Sequence, residues 1–409
     1  MRVVHLSTSV SFSSMNIRLQ KELVNRGVNS KTLVDDRNPT MKNVVSARGN
    51  RLYSAYYIFR SKYEEFILKY LYSNRMDLPF SFGFIGRNVD KEPLLLDSDI
   101  IHLHWICNFI SIKGIARLVN IKKPIIWTIH DSWPITGGCH VRYGCSQYCY
   151  GCTNCHELAR KNTYLSESIL KKKRKYWANN NIVAVAPSKW MFECLKKSDL
   201  FKQENIYHIP NPIDLSIYEY HEKHDDSSIV ILFGAVQPTK AKYKGYNYLL
   251  EALKIITEKY PDYAKRIELN IFGSDELEEN EVLAGFKHNN LGFLNSDEQL
   301  VRAYQNSHIY VLPTLDDNLP TTVLESMSCG TPVVSFDIGG LSDMVDHKKN
   351  GYLAKYKDSN DFAEGIIWVI NNNSENRLSQ NARAKIENDF SYSKTVEKYI
   401  ELYNKVMQG

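Results

Sequence analysis

The chain has 409 residues, 43% of them hydrophobic and 24% charged, a globular balance at a length that exceeds one ordinary core, so two or three domains are expected. No uncharged apolar run reaches the ~18 residues of a membrane-spanning helix, and the opening MRVVHLSTSV is too short and polar for a secretory leader, which predicts a cytoplasmic protein. The net charge of +5 hides a split: residues 1–208 hold 31 Lys and Arg against 16 Asp and Glu, residues 209–409 hold 20 against 30, and the basic half predicts a phosphate-rich or anionic-lipid partner.

RVVHLS (2–7) is an apolar run short enough for a buried strand. In MNIRLQKELVNRG (15–27), Met15, Leu19 and Leu23 recur four apart and Gly27 stops the helix. SKTLVD (30–35) completes a strand–helix–strand unit, hence a parallel sheet. AYYIFRSKYEEFILKYLYSNR (55–75) reads as a Tyr-rich amphipathic helix. DIIHLHW (99–105), KPIIWTIHD (123–131) and NIVAVAPS (181–188) continue the strands. The strand end WTIHDSWPITGG sets His130 and Asp131 at its rim, and His102 and His104 make the neighbouring edge polar.

CHVRYGCSQYCYGCTNC (139–155) contains five of the eight cysteines. In a reducing compartment such density points to metal before disulfides. Cys152 and Cys155 form a Cys-x-x-Cys half-site that Cys145 and Cys149 would complete as a closed, structural zinc shell; thiolates alone also suit an iron–sulfur cluster, and uncoordinated thiols in a compact loop are the plain alternative. KKKRKYW (171–177) is a basic run beside aromatics. With the Tyr-rich helix it suits either docking on an anionic membrane or a solvated helix face.

HIPNPID (208–214) punctuates the chain, and a fresh series of elements begins. SSIVILFGA (227–235) is a strand, and KGYNYLLEALKIITEKY (244–260) a helix with Leu249, Leu250, Leu253 and Ile256 on one face. RIELNIFG (266–273) is a strand, DEQLVRAYQNS (297–307) a helix, HIYVLPT (308–314) a strand. PTTVLESMSC (320–329) follows as helix and TPVVSFD (331–337) as strand. The fold class is therefore α/β, with two doubly wound Rossmann-like domains facing a cleft, because open parallel sheets bind ligands beyond their C-terminal strand ends. The expected division is 1–208, with a Cys-rich insertion at 137–157, then 209–390, then 391–409 as an amphipathic helix crossing back to the first domain.

LDDNLPTTVLESMSCGTPVVS (315–335) carries Asp317, seven residues, Glu325 and then SMSCGTPVV across a loop-to-helix junction. Pro320 suits the first helical position, and the following N–H groups of Thr321 and Thr322 can meet an anion at the positive end of the helix. This pattern, on a chain of two α/β halves, resembles the retaining glycosyltransferases of family 4, which have the GT-B fold, and in particular exopolysaccharide and colanic-acid enzymes. Asp317 stands where that family usually has Glu.

The resemblance implies that Glu325 accepts hydrogen bonds from the ribose of a nucleotide sugar, while Asp317 and the backbone of Asn318, Leu319 and Thr321 lie by its sugar and diphosphate, with Thr322. It implies that Lys244, in a Lys-Gly pair after the first strand of the second domain, meets the diphosphate. Ala235 stands where the family has Arg, and Lys240 or Lys242 takes over that charge. His130 is implied at the reacting centre. Among the cysteines, the resemblance selects Cys139, Cys145, Cys152 and Cys155 for zinc, with Cys149 spare. The implied reaction moves a hexose from a UDP- or GDP-sugar to a saccharide or lipid-linked acceptor in cell-surface polysaccharide synthesis, on the inner face of the membrane. No Asp-x-Asp pair lies beside these residues, so no catalytic divalent metal is expected. A sugar-nucleotide epimerase of the same fold is the alternative enzyme. A zinc-stabilised nucleic-acid binder is the non-enzyme alternative, and it leaves the Asp317–Glu325 stretch unused; no nucleic acid is expected as partner.

Overall fold

Each apolar run named above becomes a strand in the computed structural model, which describes residues 1–11, 14–36, 39–47, 62–76, 78–159, 163–178, 180–223, 228–237, 241–274 and 280–408. The chain divides into two compact units, Met1–Pro210 with Val396–Gly409, and Asn211–Thr395. The division falls within the Pro-rich HIPNP stretch.

The first unit is built on a seven-stranded parallel sheet in the order β3-β2-β1-β4-β5-β6-β7. Its strands are β1 (Arg2–Ser7), β2 (Asn29–Val34), β3 (Val44–Ser46), β4 (Ile100–Leu103), β5 (Ile125–Thr128), β6 (Ile182–Ala186) and β7 (Ile206–His208). Central strands β4, β5 and β6 are buried along their whole length, as parallel strands covered on both faces must be. Strand order reverses between β1 and β4, and in such sheets that reversal opens a crevice at the C-terminal strand ends.

The second unit has a six-stranded parallel sheet, β10-β9-β8-β11-β12-β13, made of β8 (Ile229–Gly234), β9 (Ile267–Phe272), β10 (Lys287–Asn290), β11 (Ile309–Leu312), β12 (Val333–Phe336) and β13 (Gly351–Ala354). Here the reversal lies between β8 and β11. The helix Tyr246–Lys259 packs Tyr246, Leu249, Ala252, Leu253 and Ile256 inward; Leu250, expected on that face, is half-buried, because the 3.6-residue period carries it to the flank.

The last helix, Tyr392–Gln408, belongs from Val396 onward to the first unit. Its Tyr399 and Tyr403 are buried there. The Tyr403 hydroxyl meets His102 Nδ1 at 2.8 Å and the Tyr399 hydroxyl meets Thr128 Oγ1 at 3.0 Å.

The basic run 171–177 lies on the helix Tyr164–Trp177 and is not a uniform solvated face. Lys173 and Trp177 point into the core, fully buried, while Lys171, Lys172 and Lys175 face outward. The indoles of Trp127, Trp133 and Trp177 cluster, with Trp127 edge-on to Trp177 at 5.2 Å between centroids, and the Lys173 ammonium lies 3.8 Å from the Trp133 ring centroid. Of the Tyr-rich helix, residues 62–71 are helical, and residues 55–61 lie outside the described residues.

His5 on β1 pairs in register with His102 on β4, and His104, two residues on, shares the face of His102. All three are buried, so the edge that the sequence marks as polar is interior: the strand ends are covered. Burial drives their pKa values down, to about 3 for His5 and well below the ordinary 6.5 for His102 and His104, and that of His130 to about 4. Unfolding frees these imidazoles to bind protons below pH 6.5, whereas the folded ones stay neutral until the pH falls much further. The unfolded state then holds more protons, and stability falls as the pH is lowered. The urea midpoint should therefore decline from pH 6.5 to about 5, above the range in which most carboxylates titrate; a flat profile across that interval would contradict the burial of neutral imidazoles.

Candidate functional site

In the second unit the residues singled out from sequence meet where β8 and β11 part. After β8 the chain reaches a short 3-10 turn, Lys242–Lys244, closed by Gly245 with φ +76°. A Cβ on Gly245 would come within 1.8 Å of the Pro313 carbonyl oxygen, so only glycine lets this turn sit against the end of β11. The two loops are joined further by Leu315 N–H to the Tyr243 carbonyl at 2.8 Å and by the Thr314 hydroxyl to the same oxygen at 3.2 Å. This places Lys244 Nζ 2.9 Å from Asp317 Oδ2. Burial opposes the charge on Lys244, but Asp317, Tyr243 and Asp316 outweigh it and hold its pKa above the usual lysine range. Lys240 lies outside the described residues.

Asp317 is fixed from behind by Gly339, with φ +55°, where a Cβ would approach the Asp317 carbonyl oxygen to 1.8 Å. Asn318 and Leu319 are buried, and the Leu319 carbonyl accepts from Asn211 Nδ2 at 3.2 Å. The helix runs Thr321–Ser328, with Pro320 at the N-cap in extended conformation (ψ 125°), one position earlier than expected. The reason is that proline fixes only φ, and its ψ is free to enter from the loop. The first helical amides, of Thr321 and Thr322, have no carbonyl four residues back to bond, and both residues are half-exposed. At the other end Arg383 Nη1 donates to the Ser328 carbonyl at 2.9 Å, a cation where the helix dipole favours one.

Glu325, one turn inside, is buried, and its Oε2 accepts from the Tyr304 hydroxyl at 3.0 Å. Tyr304 comes from the helix Asp297–Gln305. Burial and then the Glu325 charge raise the phenol's pKa well above 10, so a neutral hydroxyl donates to a carboxylate, the stronger kind of hydrogen bond. Tyr310 on β11 is buried at the centre of this mouth. Its hydroxyl donates to the Gly234 carbonyl at 3.2 Å, bonds the Thr322 side chain, and feels Glu325 and Asp317, with burial the main cause of its raised pKa. Neither tyrosine is legible as a site residue in the sequence, where each reads as a helix or strand core position. The mouth thus combines helix amides, one ammonium and two carboxylates, which suits an anion carried by a hydroxyl-bearing group.

In the first unit His130 follows β5 and is half-buried, its Nε2 3.1 Å from His104 Nδ1. Asp131 is a structural tie. Burial opposes its ionisation, but His140 at 2.6 Å, the Trp133 amide at 2.9 Å and the Trp105 indole at 2.8 Å outweigh it and keep its pKa low.

The Cys-rich segment packs into the first unit. Gly137 N–H points at Cys152 Sγ at 3.2 Å, and Cys155 receives the backbone N–H groups of Leu158 and Glu157. Burial, then Cys152, Cys155 and Cys145, push the Cys139 thiol up; burial pushes Cys152 up to about 12. Cys149 engages the Tyr148 hydroxyl. Lys173, bonded to the Trp133 and Thr136 carbonyls, has no carboxylate ion pair among the described residues; burial brings its pKa down to about 7, opposed by Cys107, Cys139, Cys152 and Asp131. N–H donors to sulfur and a buried cation both fit thiolates held by a metal. Among the described residues, however, three candidate ligand atoms within 4.8 Å of one another occur at His5, His102 and His104, and the cysteine sulfurs are more widely spread.

The family Glycosyl transferases group 1 matches residues 220–385 and Glycosyltransferase Family 4 matches residues 15–217. An uncharacterized glycosyltransferase of Haemophilus influenzae is 30% identical over 204 residues, 49% of this chain and 55% of that one. The UDP-Gal:alpha-D-GlcNAc-diphosphoundecaprenol alpha-1,3-galactosyltransferase of Escherichia coli is 32% identical over 113 residues, 28% of each chain. The chain therefore spans about half the length, or less, of these relatives. The crystal structure of Anabaena HepE in complex with UDP and glucose superposes with a TM-score of 0.62 at 14% identity, covering 99% of both chains. With two parallel sheets of Rossmann type and these matches across both halves, the chain belongs to the GT-B glycosyltransferases of the family 4 type.

Proposed function

We propose that this protein is a retaining glycosyltransferase that moves a hexose from a UDP- or GDP-sugar to a saccharide or lipid-linked acceptor in cell-surface polysaccharide synthesis. The observation that carries the reading is the meeting of Lys244, the Thr321 and Thr322 amides, Asp317 and the Tyr304-held Glu325 at the β8/β11 reversal. The UDP and glucose of the HepE complex and the lipid diphosphate acceptor named for the Escherichia coli galactosyltransferase supply the chemical classes.

In this reading the bond between the anomeric carbon and the diphosphate oxygen breaks, the acceptor hydroxyl oxygen forms the new bond on the same face, and the hydroxyl's proton passes to the departing diphosphate oxygen. The charge left on the diphosphate is met by Lys244 and by the helix amides, which are already oriented before the reaction and need no rearrangement to meet it. Lys244 is paired with Asp317 when no donor is bound; an arriving diphosphate draws the ammonium away and releases Asp317 to accept from a sugar hydroxyl. Glu325, fixed by Tyr304, accepts from the ribose. His130 acts on the sugar at the reacting centre. Because the leaving group is an activated diphosphate, no protonating acid is required, in contrast to glycoside hydrolysis.

Zinc held by Cys139, Cys145, Cys152 and Cys155 is part of the proposal as a structural element. When bound, it supplies a closed thiolate shell with no open position. The anionic face of the inner membrane is the proposed docking surface, through exposed Phe66, Tyr70 and Leu71 beside Lys69; aromatic and aliphatic groups flanked by a cation enter the lipid interface readily.

A ligand that binds only the folded protein adds about 2.7 kcal/mol of stability at a hundredfold excess over Kd, so UDP or GDP should raise the melting temperature. Glu325→Gln keeps an oxygen for Tyr304 but removes the charge. It should lower nucleotide affinity roughly tenfold, the effect of about 1.4 kcal/mol, with little change in the melting temperature of the free protein. No shift of the wild type with any UDP-, GDP- or ADP-sugar would sink the reading. For the metal, elemental analysis should find zinc in the purified protein, less in Cys152→Ser and an undiminished amount in Cys149→Ser; equal content in all three would remove the proposed ligand set.

A further inference from the structure

Within the first unit alone, a serine, a histidine and an aspartate stand in series. His140 Nε2 lies 2.9 Å from Ser81 Oγ, and His140 Nδ1 lies 2.6 Å from Asp131 Oδ2. These are the spacings of a nucleophile, a base and the group that orients the base, and such a set is recognised by geometry and not by place in the chain. Ser81 and His140 are buried, and backbone contacts hold both. Ser81 N–H donates to the Gly138 carbonyl at 2.9 Å, His140 N–H donates to the Pro79 carbonyl at 3.1 Å, and Phe80 bridges Cys139 in antiparallel sense between them. The Trp133 indole donates to the Ser81 carbonyl at 2.9 Å.

The side-chain hydrogen bonds run in one direction. Asp131 Oδ1 accepts from the Trp133 amide at 2.9 Å and Oδ2 from the Trp105 indole at 2.8 Å, two donors that favour the ionised carboxyl. A carboxylate has no proton to give, so His140 donates to it from Nδ1, and the neutral ring then carries its lone pair on Nε2. The Ser81 hydroxyl, whose one hydrogen-bond partner among the described residues is His140, donates to that lone pair. This is the tautomer that a general base for a serine hydroxyl requires.

Ser81 also lines an open cavity of about 760 Å³, together with Glu64, Lys69, Tyr72, Arg75 and Asn108. A network that served only to satisfy a buried imidazole would need no opening at its serine. Carboxylate, ammonium, guanidinium, amide and phenol on one wall offer both donors and acceptors, a lining that suits a compound rich in hydroxyl groups.

We propose that Ser81, His140 and Asp131 form a triad that cleaves a carboxylic ester of a polyhydroxylated compound, an O-acyl group on a saccharide being the substrate class. Ser81 Oγ attacks the acyl carbon while its proton passes to His140 Nε2. The ester oxygen leaves with that proton as a free hydroxyl, and the acyl group stays on Ser81. A water molecule then gives a proton to His140 and attacks the same carbon; the carboxylic acid departs, and Ser81 regains its hydrogen from the ring. Lys69 and Asn108, on the cavity wall, are the donors for the carbonyl oxygen as it gains negative charge. Asp131 is a positioning residue that acts through His140.

The test is labelling of the full chain with a fluorophosphonate, which phosphonylates activated serines, read by peptide mass spectrometry. The adduct is expected on Ser81. His140→Ala should slow its formation by about a hundredfold or more, the contribution of a general base, and Asp131→Asn should slow it too, because the amide no longer selects the tautomer. No adduct on wild-type Ser81 overturns the proposal whatever the variants do, and so does an undiminished labelling rate in a folded His140→Ala. Ester cleavage is read separately as acetate released from glucose pentaacetate. Release by the wild type should exceed that by Ser81→Ala at least tenfold; release by the wild type at the uncatalysed rate, or equal release by a folded Ser81→Ala, overturns the esterase role. Neither measurement uses a nucleotide sugar, so their outcome is independent of the proposed glycosyl transfer.

Discussion

The approach of the Gly245 backbone to the Pro313 carbonyl is the constraint on which the second unit's mouth depends. It brings the loop after β8 against the end of β11, where strand order reverses, and Lys244 reaches Asp317 as a consequence. Gly339 performs the complementary task from the side of β12, leaving no room for a side chain behind Asp317. Two glycines thus hold the backbone while charged side chains converge in front of it. The pairing of Lys244 with Asp317 keeps both charges balanced in a partly buried place, where either alone would be destabilising.

The first unit solves a different problem, that of burying polar groups under strands that are otherwise Val, Ile and Leu. It does so with neutral imidazoles linked to hydroxyls, each group satisfying the next. Buried networks of this kind are favourable only when complete. Lys173 is the counterexample, a buried ammonium whose hydrogen bonds go to two carbonyls and whose electrostatic balance comes from cysteine sulfurs nearby.

Much of this was readable from residue order. Short apolar runs with helical stretches between them marked every central strand, since strands covered on both faces must be apolar throughout. Strand β10, KHNN, carried no such mark because it is an exposed sheet edge stabilised by Asn289 to Glu268 and Asn270 contacts and by a Lys287–Glu268 pair. Asp317 and Glu325 were legible through the family resemblance carried by their spacing ahead of Cys-Gly-Thr-Pro, and Lys244 through the Lys-Gly pair that the same resemblance places after the first strand of this half. Tyr304 and Tyr310 were not, because a tyrosine on a core face looks the same whether its hydroxyl serves packing or a carboxylate. The histidines were legible as polar residues near a strand end, but their burial was not, because it depends on the covering of that end by other elements. Pro320 shows the same limit at single-residue scale, for sequence fixes its φ but not the ψ that decides where the helix begins.

The terminal helix has a consequence for dissection of the molecule. Tyr399 and Tyr403 complete the hydrogen bonding of Thr128 and His102, yet they are encoded after the whole of the other unit. A fragment ending at Pro210 would expose the bare side of β4 and β5 and leave two interior polar groups without their phenols. Chimeras that exchange the second unit between such enzymes would accordingly have to graft the middle segment, 211–395, and keep the last fourteen residues with their own N-terminal half.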